Sequence, residues 1–302
     1  MGRPLRYAES WQAVEVTART IQGRFLLRPS KRLNALIAGI LAVGKQRHGV
    51  RIYNFVFLSN HFHMLIAAAN PRTLSRFMNF VMGSIAREAG RLHAWRGPFW
   101  GRRYRSISIT DEASLRDRMR YLYEHGCKEG LVAHPALWPG LNAVEALTRG
   151  APLEGIRIDR TALYLAQRLR RRPPSEKDFT SFHALIVDPL PCWSDLTVEQ
   201  QRHLNRELVE DVAIAFVDDP RRSKKALASL RKPPHHQPRR LKQGPAPLCH
   251  SATPEGRRTF KEAYRAFVEA YRAAAERNFI DLPSLGFPDH TQVIAFPADA
   301  TA

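Results

Sequence analysis

"FLSNHFHMLI", residues 57–66, places two histidines two positions apart inside an apolar run. The run has the length and composition of a buried strand, and a buried strand has little reason to carry two imidazoles. Side chains at i and i+2 of a strand share a face, with Cα atoms about 6–7 Å apart. His61 and His63 therefore face the same way, and Phe62 points to the other side, into the core. Two imidazoles so placed can converge on one divalent cation. The plainer reading is a pair of satisfied histidines beside a hairpin, and the motif alone does not decide between them.

Working outward, "VRIYNFVFLS" (50–59) and "FHMLIAAA" (62–69) read as two strands joined tightly at Ser59-Asn60, a hairpin. "AVEVTART" (13–20) reads as an earlier strand with Val14, Val16 and Ala18 on one face. Ser30 can cap a helix over 31–48 with Leu33, Leu36, Ile37, Ile40 and Leu41 at helical spacing, ended by Gly49. Asn70-Pro71 stops the hairpin, and a helix over 73–94 carries Leu74, Phe77, Met78, Val81, Ile85 and Leu92. "PFWGRRYRSISIT" (98–110) reads as another strand, and Asp111 can cap a helix over 112–127. The order strand, helix, strand, strand, helix, strand, helix implies an α+β fold: a ferredoxin-like or RRM-like antiparallel sheet with helices on one face.

The chain has 302 residues, 44% of them hydrophobic, enough for one good core and an appendage. After "HPALWPG" (134–140) the composition changes. We expect a core domain over 11–140 and a basic, proline-rich, mainly helical and partly disordered extension over 141–302. Its clearest helix is "RRTFKEAYRAFVEAYRAAAERNF" (257–279). Its segment 221–243 holds nine Lys/Arg and no acid, which suits a basic arm without fixed structure. The formal charge of +19, from 47 Lys+Arg against 28 Asp+Glu, favours a polyanionic partner and disfavours a metabolite enzyme. No 18-residue apolar run or hydrophobic leader is present, so a cytoplasmic, nucleoid-associated protein is expected, with no membrane partner. Cys127, Cys192 and Cys249 are scattered and form no CxxC pair, which argues against disulfides or a cysteine-rich zinc site.

With "FWGRRYRSI" (99–107) and "RYLYEHGCKEGLV" (120–132), "FLSNHFHMLI" resembles the REP-associated tyrosine transposases, a branch of the insertion-sequence HUH nucleases. The likeness covers about 11–140. It implies a single-stranded DNA endonuclease and strand transferase acting on hairpin DNA through a 5′-phosphotyrosine. It also implies a divalent metal held by His61, His63 and a polar residue one turn beyond the nucleophile. Tyr121 falls on the nucleophile, and His125 stands where the family carries Asn or Gln. On a helix i and i+4 share a face, which Tyr123 cannot do with His125. That favours Tyr121, with Tyr123 the alternative and a core aromatic the plain reading. A third imidazole in place of an oxygen ligand shifts preference from Mg²⁺ toward Mn²⁺, and makes Zn²⁺ plausible.

Trp100, Arg102, Arg103, Tyr104 and Arg105 interleave aromatics with cations, which suits contact with single strands. A solvated strand edge with a buried Trp is the alternative. Asn60 reads equally as a turn residue or a site residue. Arg19 and Arg24 flank the first strand and can add phosphate contacts. A non-catalytic or domesticated hairpin-binding regulator is the rival function. A single tyrosine per chain allows a monomer or a homodimer.

Overall fold

The computed structural model describes residues 5–169, 174–217, 232–237 and 247–278. Its main sheet has five strands: β1 (Val14–Arg19), β2 (Arg51–Phe57), β3 (His61–Ala67), β4 (Arg105–Ile109) and a late two-residue strand, β7 (Cys249–His250). Their order is β2-β3-β1-β4-β7. The first four run antiparallel to their neighbours, and β7 lies parallel to β4. A separate antiparallel hairpin is made by β5 (Leu153–Ile158) and β6 (Thr180–Leu185).

Seven helices accompany the strands among the described residues: α1 (Lys31–His48), α2 (Pro71–Leu92), α3 (Glu112–Lys128), α4 (Val144–Arg149), α5 (Arg160–Leu169), α6 (Val198–Phe216) and α7 (Pro254–Asn278). The expected caps form. Ser30 accepts a hydrogen bond from Leu33 N, and Gly49 closes α1 in the left-handed region at φ 61°, where a residue without Cβ is unstrained. Asp111 accepts from Ser114 N at the head of α3. The strand expected over 98–110 is shorter than its apolar pattern: only 105–109 pair as β4, while Trp100 makes an isolated bridge to Thr20.

Strand alternation divides the core into two layers. Val14, Val16, Ala18, Phe62, Met64 and Ile66 pack with α1 and α2. This is the helical face expected of the fold class. The opposite face is also covered: Tyr53, Val56, Leu65, Ala67 and Ile109 pack with Leu115, Met119 and Leu122 of α3 and with Val209 and Val212 of α6. Period-two alternation puts His61 and His63 on this second face, beneath α3.

Residues after 140 are built onto the core. Tyr123 of α3 donates to Asn205 Oδ1 of α6 at 2.7 Å, a buried seam. The β5–β6 hairpin lies on α1 so closely that a Cβ at Gly155 would sit 2.1 Å from Gly39 N. Phe260 and Phe267 of α7 clasp Tyr7, with ring centroids 5.5 and 5.2 Å away. Most of the basic arm, 221–231 and 238–243, falls outside the described residues. No described helix is long and apolar enough to cross a membrane.

Candidate metal and tyrosine centre

The central strand pair sets the site. On β3, His61 lies opposite Arg19 and His63 opposite Thr17 of β1. Both imidazoles rise toward α3, which presents Tyr121 and His125 one turn apart. The four rings form one cluster. The His63 and His125 centroids are 4.1 Å apart, Tyr121 and His125 4.6 Å, His61 and His63 5.3 Å, and Tyr121 and His63 5.7 Å. One ring nitrogen of each histidine falls within 4.8 Å of the others.

The outer contacts aim these nitrogens. His63 Nδ1 donates to Glu15 Oε1 at 2.7 Å, and His61 Nδ1 donates to Asn60 Oδ1 at 2.7 Å. A ring whose Nδ1 carries the proton offers its Nε2 lone pair inward, the usual arrangement behind a metal-ligating histidine. His125 Nε2 is buried and has no hydrogen-bond partner within the protein. A buried nitrogen left orphaned is costly unless something binds it. Three inward-facing imidazoles, two of them fixed by oxygen acceptors, fit a divalent cation. Burial, together with the neighbouring positive groups, holds the His61 and His125 pKa values well below the ordinary 6.5, so both stay neutral and able to ligate.

Tyr121 is half-buried. Burial, then the nearby Glu15, pushes its phenol pKa up, and Arg118 opposes them. The Arg118 guanidinium lies 4.5 Å over its ring and the Lys128 ammonium 5.0 Å. Tyr123 is buried at 3% exposure and its hydroxyl is committed to Asn205. Burial drives its pKa strongly upward, so it has neither access nor acidity for attack. Glu124 pairs with Arg120 at 3.2 Å and stays outside the cluster.

The remaining expected residues divide. Asn60 holds the hairpin turn: besides His61, it donates through Nδ2 to Gly23 O at 3.1 Å and accepts from Thr20 N at 2.9 Å. Arg102, Arg103 and Arg105 are exposed at the entry to β4. The two aromatics among them are corrections to the expected stacking platform. Trp100 packs on Phe62 and donates to Met82 O at 2.9 Å. Tyr104 is 7% exposed, its hydroxyl bonded by Arg6 and Ser75, with Arg6 stacked on its ring. An apolar core beside the strand claimed both rings, which composition alone could not distinguish from a wet edge.

Sequence reasoning missed Glu15, although its signal was present: an acid between Val14 and Val16 in an apolar strand is as anomalous as the two histidines. Glu15 is 3% exposed. Burial pushes its carboxyl pKa up, but the adjacent imidazoles of His250 and His63 outweigh this and hold it well below the carboxylate range.

Two solved structures resemble the chain at 16% identity each. One is a REP-associated tyrosine transposase bound to a REP hairpin, with TM-score 0.43, covering 49% of this chain and 86% of that one. The other, from Deinococcus radiodurans R1, is described as a transposase, with TM-score 0.29, covering 40% and 95%. No curated protein sequence matches. A family model, described as "Transposase IS200 like", matches residues 25–125, a span that runs from before the helix α1 through both strand histidines to His125. The segment carrying His61, His63, Tyr121 and His125 is therefore similar to the IS200-like transposases.

Proposed function

We propose that the protein is a metal-dependent single-stranded DNA endonuclease and strand transferase of the REP-associated type, with Tyr121 as nucleophile and His61, His63 and His125 as the metal set. The observation that carries this reading is the convergence of one phenol and three imidazoles on a single spot from two elements, a strand and a helix.

The Tyr121 oxygen attacks the scissile phosphorus. An O–P bond forms to the tyrosine, the P–O3′ bond breaks, and the strand leaves with a 3′-OH. The phenol gives up one proton and the departing oxygen takes one, so the step is balanced. The phosphotyrosine keeps a phosphodiester's bond energy, and a second 3′-OH can reverse the step to join strands without ATP. A divalent ion held by the three histidines would polarise the phosphate and steady charge on the leaving oxygen, and an all-nitrogen set favours Mn²⁺ over Mg²⁺. A phenol with a raised pKa is a weak nucleophile, and Arg118 and Lys128 beside the ring oppose that by favouring the phenolate and the incoming phosphate. Glu15 and Asn60 keep the His63 and His61 tautomers fixed through the cycle. The substrate is a hairpin-bearing single strand, its backbone met by Arg102, Arg103 and Arg105 and its bulk attraction supplied by the net charge of +19. A DNA-processing role of this kind supports a cytoplasmic, nucleoid-associated protein.

The test is incubation of the metal-free protein with hairpin DNA carrying a single-stranded flank, with Mn²⁺ or Mg²⁺ added. A covalent protein–DNA adduct is expected from the wild type and none from Tyr121→Phe, which should still retard the DNA. Retarded but intact DNA with the wild type would point to a binding-only regulator. An adduct that survives Tyr121→Phe would overturn the assignment of the nucleophile.

A further inference from the structure

The carboxylate that orients His63 has a second partner, from far along the chain. Glu15 Oε1 accepts from His63, while Glu15 Oε2 lies 2.9 Å from His250 Nε2. His250 stands 235 positions after Glu15 in the sequence and well beyond the family-matched segment, which ends at residue 125. We infer that His250 is a positioning residue of the metal centre: it fixes Glu15, Glu15 fixes His63, and the site is incomplete without the chain segment that carries it.

The physical need is clear. A carboxylate buried in a sheet is unstable as an ion unless both oxygens are satisfied. With His250 removed, Oε2 keeps, among the described residues, the Arg118 guanidinium at 3.8 Å, too long for a hydrogen bond. Glu15 would then be free to rotate away from His63. That change loosens the ring that must hold its lone pair on the ion.

His250 is itself held firmly. Cys249 and His250 pair with Ser108 and Ile109 of β4. The His250 carbonyl accepts from Thr110 N at 3.0 Å and Thr110 Oγ1 at 3.2 Å. Two residues on, Ala252 N donates to Asp111 Oδ2 at 3.0 Å, on the same carboxylate that caps α3. The segment is thus fastened to the head of the helix that carries Tyr121 and His125. Register also places it: the partners of Glu15 and of His250 on β4, Ile107 and Ile109, are two apart and share the face toward α3.

The inference rests on the metal reading above, and the experiment separates the two. Mn²⁺ is titrated calorimetrically into the metal-free full-length protein, wild type and variants, without DNA. Outer partners of ligating histidines are worth about 10–100-fold in affinity. His250→Ala should weaken Mn²⁺ binding about 10-fold. His250→Gln, whose amide still donates, should restore most of it. Glu15→Ala should weaken binding at least as much, and Glu15→Ala combined with His250→Ala should be no worse than Glu15→Ala alone. Linkage gives a second readout: an ion that gains from the docked strand must tighten its docking by the same factor. Mn²⁺ should therefore slow amide exchange at Thr110 and Ala252 in the wild type and not in Glu15→Ala. Should His250→Ala lose its fold, His250→Leu keeps the bulk without the donor and should show the same loss. Wild-type protein that binds no Mn²⁺ overturns both the metal reading and this inference. Normal wild-type binding with unchanged affinity in the folded His250 variants, or additive losses in the double variant, overturns this inference alone.

Discussion

The family-matched segment and the residues after 140 solve different problems. The first starts its elements by local rules: β2 turns directly into β3, and caps at Ser30, Asn70 and Asp111 start the helices. The second has no comparable sheet of its own among the described residues. It lays a hairpin on α1, a helix on α3 and two residues of strand on β4. Each piece is placed by a partner made earlier in the chain. The contrast teaches that the later residues lie as a brace on the outer sides of the core elements, and that, among the described residues, His250 is where the brace touches the Glu15 carboxylate behind His63.

The largest effect belongs to the first region. His61→Ala or His63→Ala should reduce adduct yield to background under every metal. His125→Gln should keep the adduct and move its dependence toward Mg²⁺, because a carbonyl oxygen suits the harder ion. Adduct yield against Mn²⁺ and Mg²⁺ concentration reads both. An unmoved preference in His125→Gln would mean that the third ligand comes from elsewhere.

At the far side of the brace, Gly155→Ala drives a methyl into the α1 backbone at Gly39. It should cost about 1–3 kcal/mol by overpacking. Faster proteolysis within 153–185 and unchanged adduct yield are the expected results. A drop in adduct yield at full folding would show that the brace reaches the site from this side as well.

The seam between α3 and α6 separates the two tyrosines. Tyr123→Phe leaves Asn205 Oδ1 without that donor and should cost about 1–2 kcal/mol in denaturant melts, while the adduct persists. The reverse pattern, lost adduct and kept stability, is expected only of Tyr121→Phe.

The smallest effect lies at Asp111. Burial pushes its carboxyl pKa up, but N–H donors from Ser114 and Ala252 outweigh it and bring the value from 3.8 down to about 2. A depressed carboxyl binds fewer protons folded than unfolded. Its stabilisation is therefore complete above about pH 4 and lost as the pH falls toward 2. Asp111→Ala should cost about 1 kcal/mol near neutrality through the lost cap. Thermal melts of the two proteins should converge between pH 4 and pH 2, and a constant gap would remove the carboxylate from the account.

The legible part of the molecule was the part governed by short-range rules. β1, the β2–β3 hairpin, α1, α2 and α3 follow from alternation, helical spacing and capping, and so does the shared face of His61 and His63. That Tyr121 and His125 share a face follows from the helical turn, and their choice as site residues from the family resemblance. Residues placed by distant partners left no such trace. A two-residue strand such as Cys249–His250 has no periodicity to detect, and Gly39 looks like an ordinary weak point in a helix until Gly155 arrives against it. Trp100 and Tyr104 misled because an aromatic among arginines has the same composition whether the ring faces DNA or the core. Glu15 was visible in principle, as a charge with no business in an apolar strand.

Both margins of the main sheet are stoppered. Along β2, Phe57 N donates to Leu141 O, Ala143 N to Phe55 O and Asp188 N to Ile52 O, while Ile52 N gives to Asp188 Oδ2. Along β4 the plug is Cys249–His250. Unpaired strand margins are where chains zip together, either into functional pairs or into aggregates. Here part of each margin, at Ile52, Phe55 and Phe57 on one side and at Ser108 and Ile109 on the other, is taken by the chain's own later residues. Losing the residues near 250 would uncover the β4 margin at Ser108 and Ile109 as well as take His250 away from Glu15.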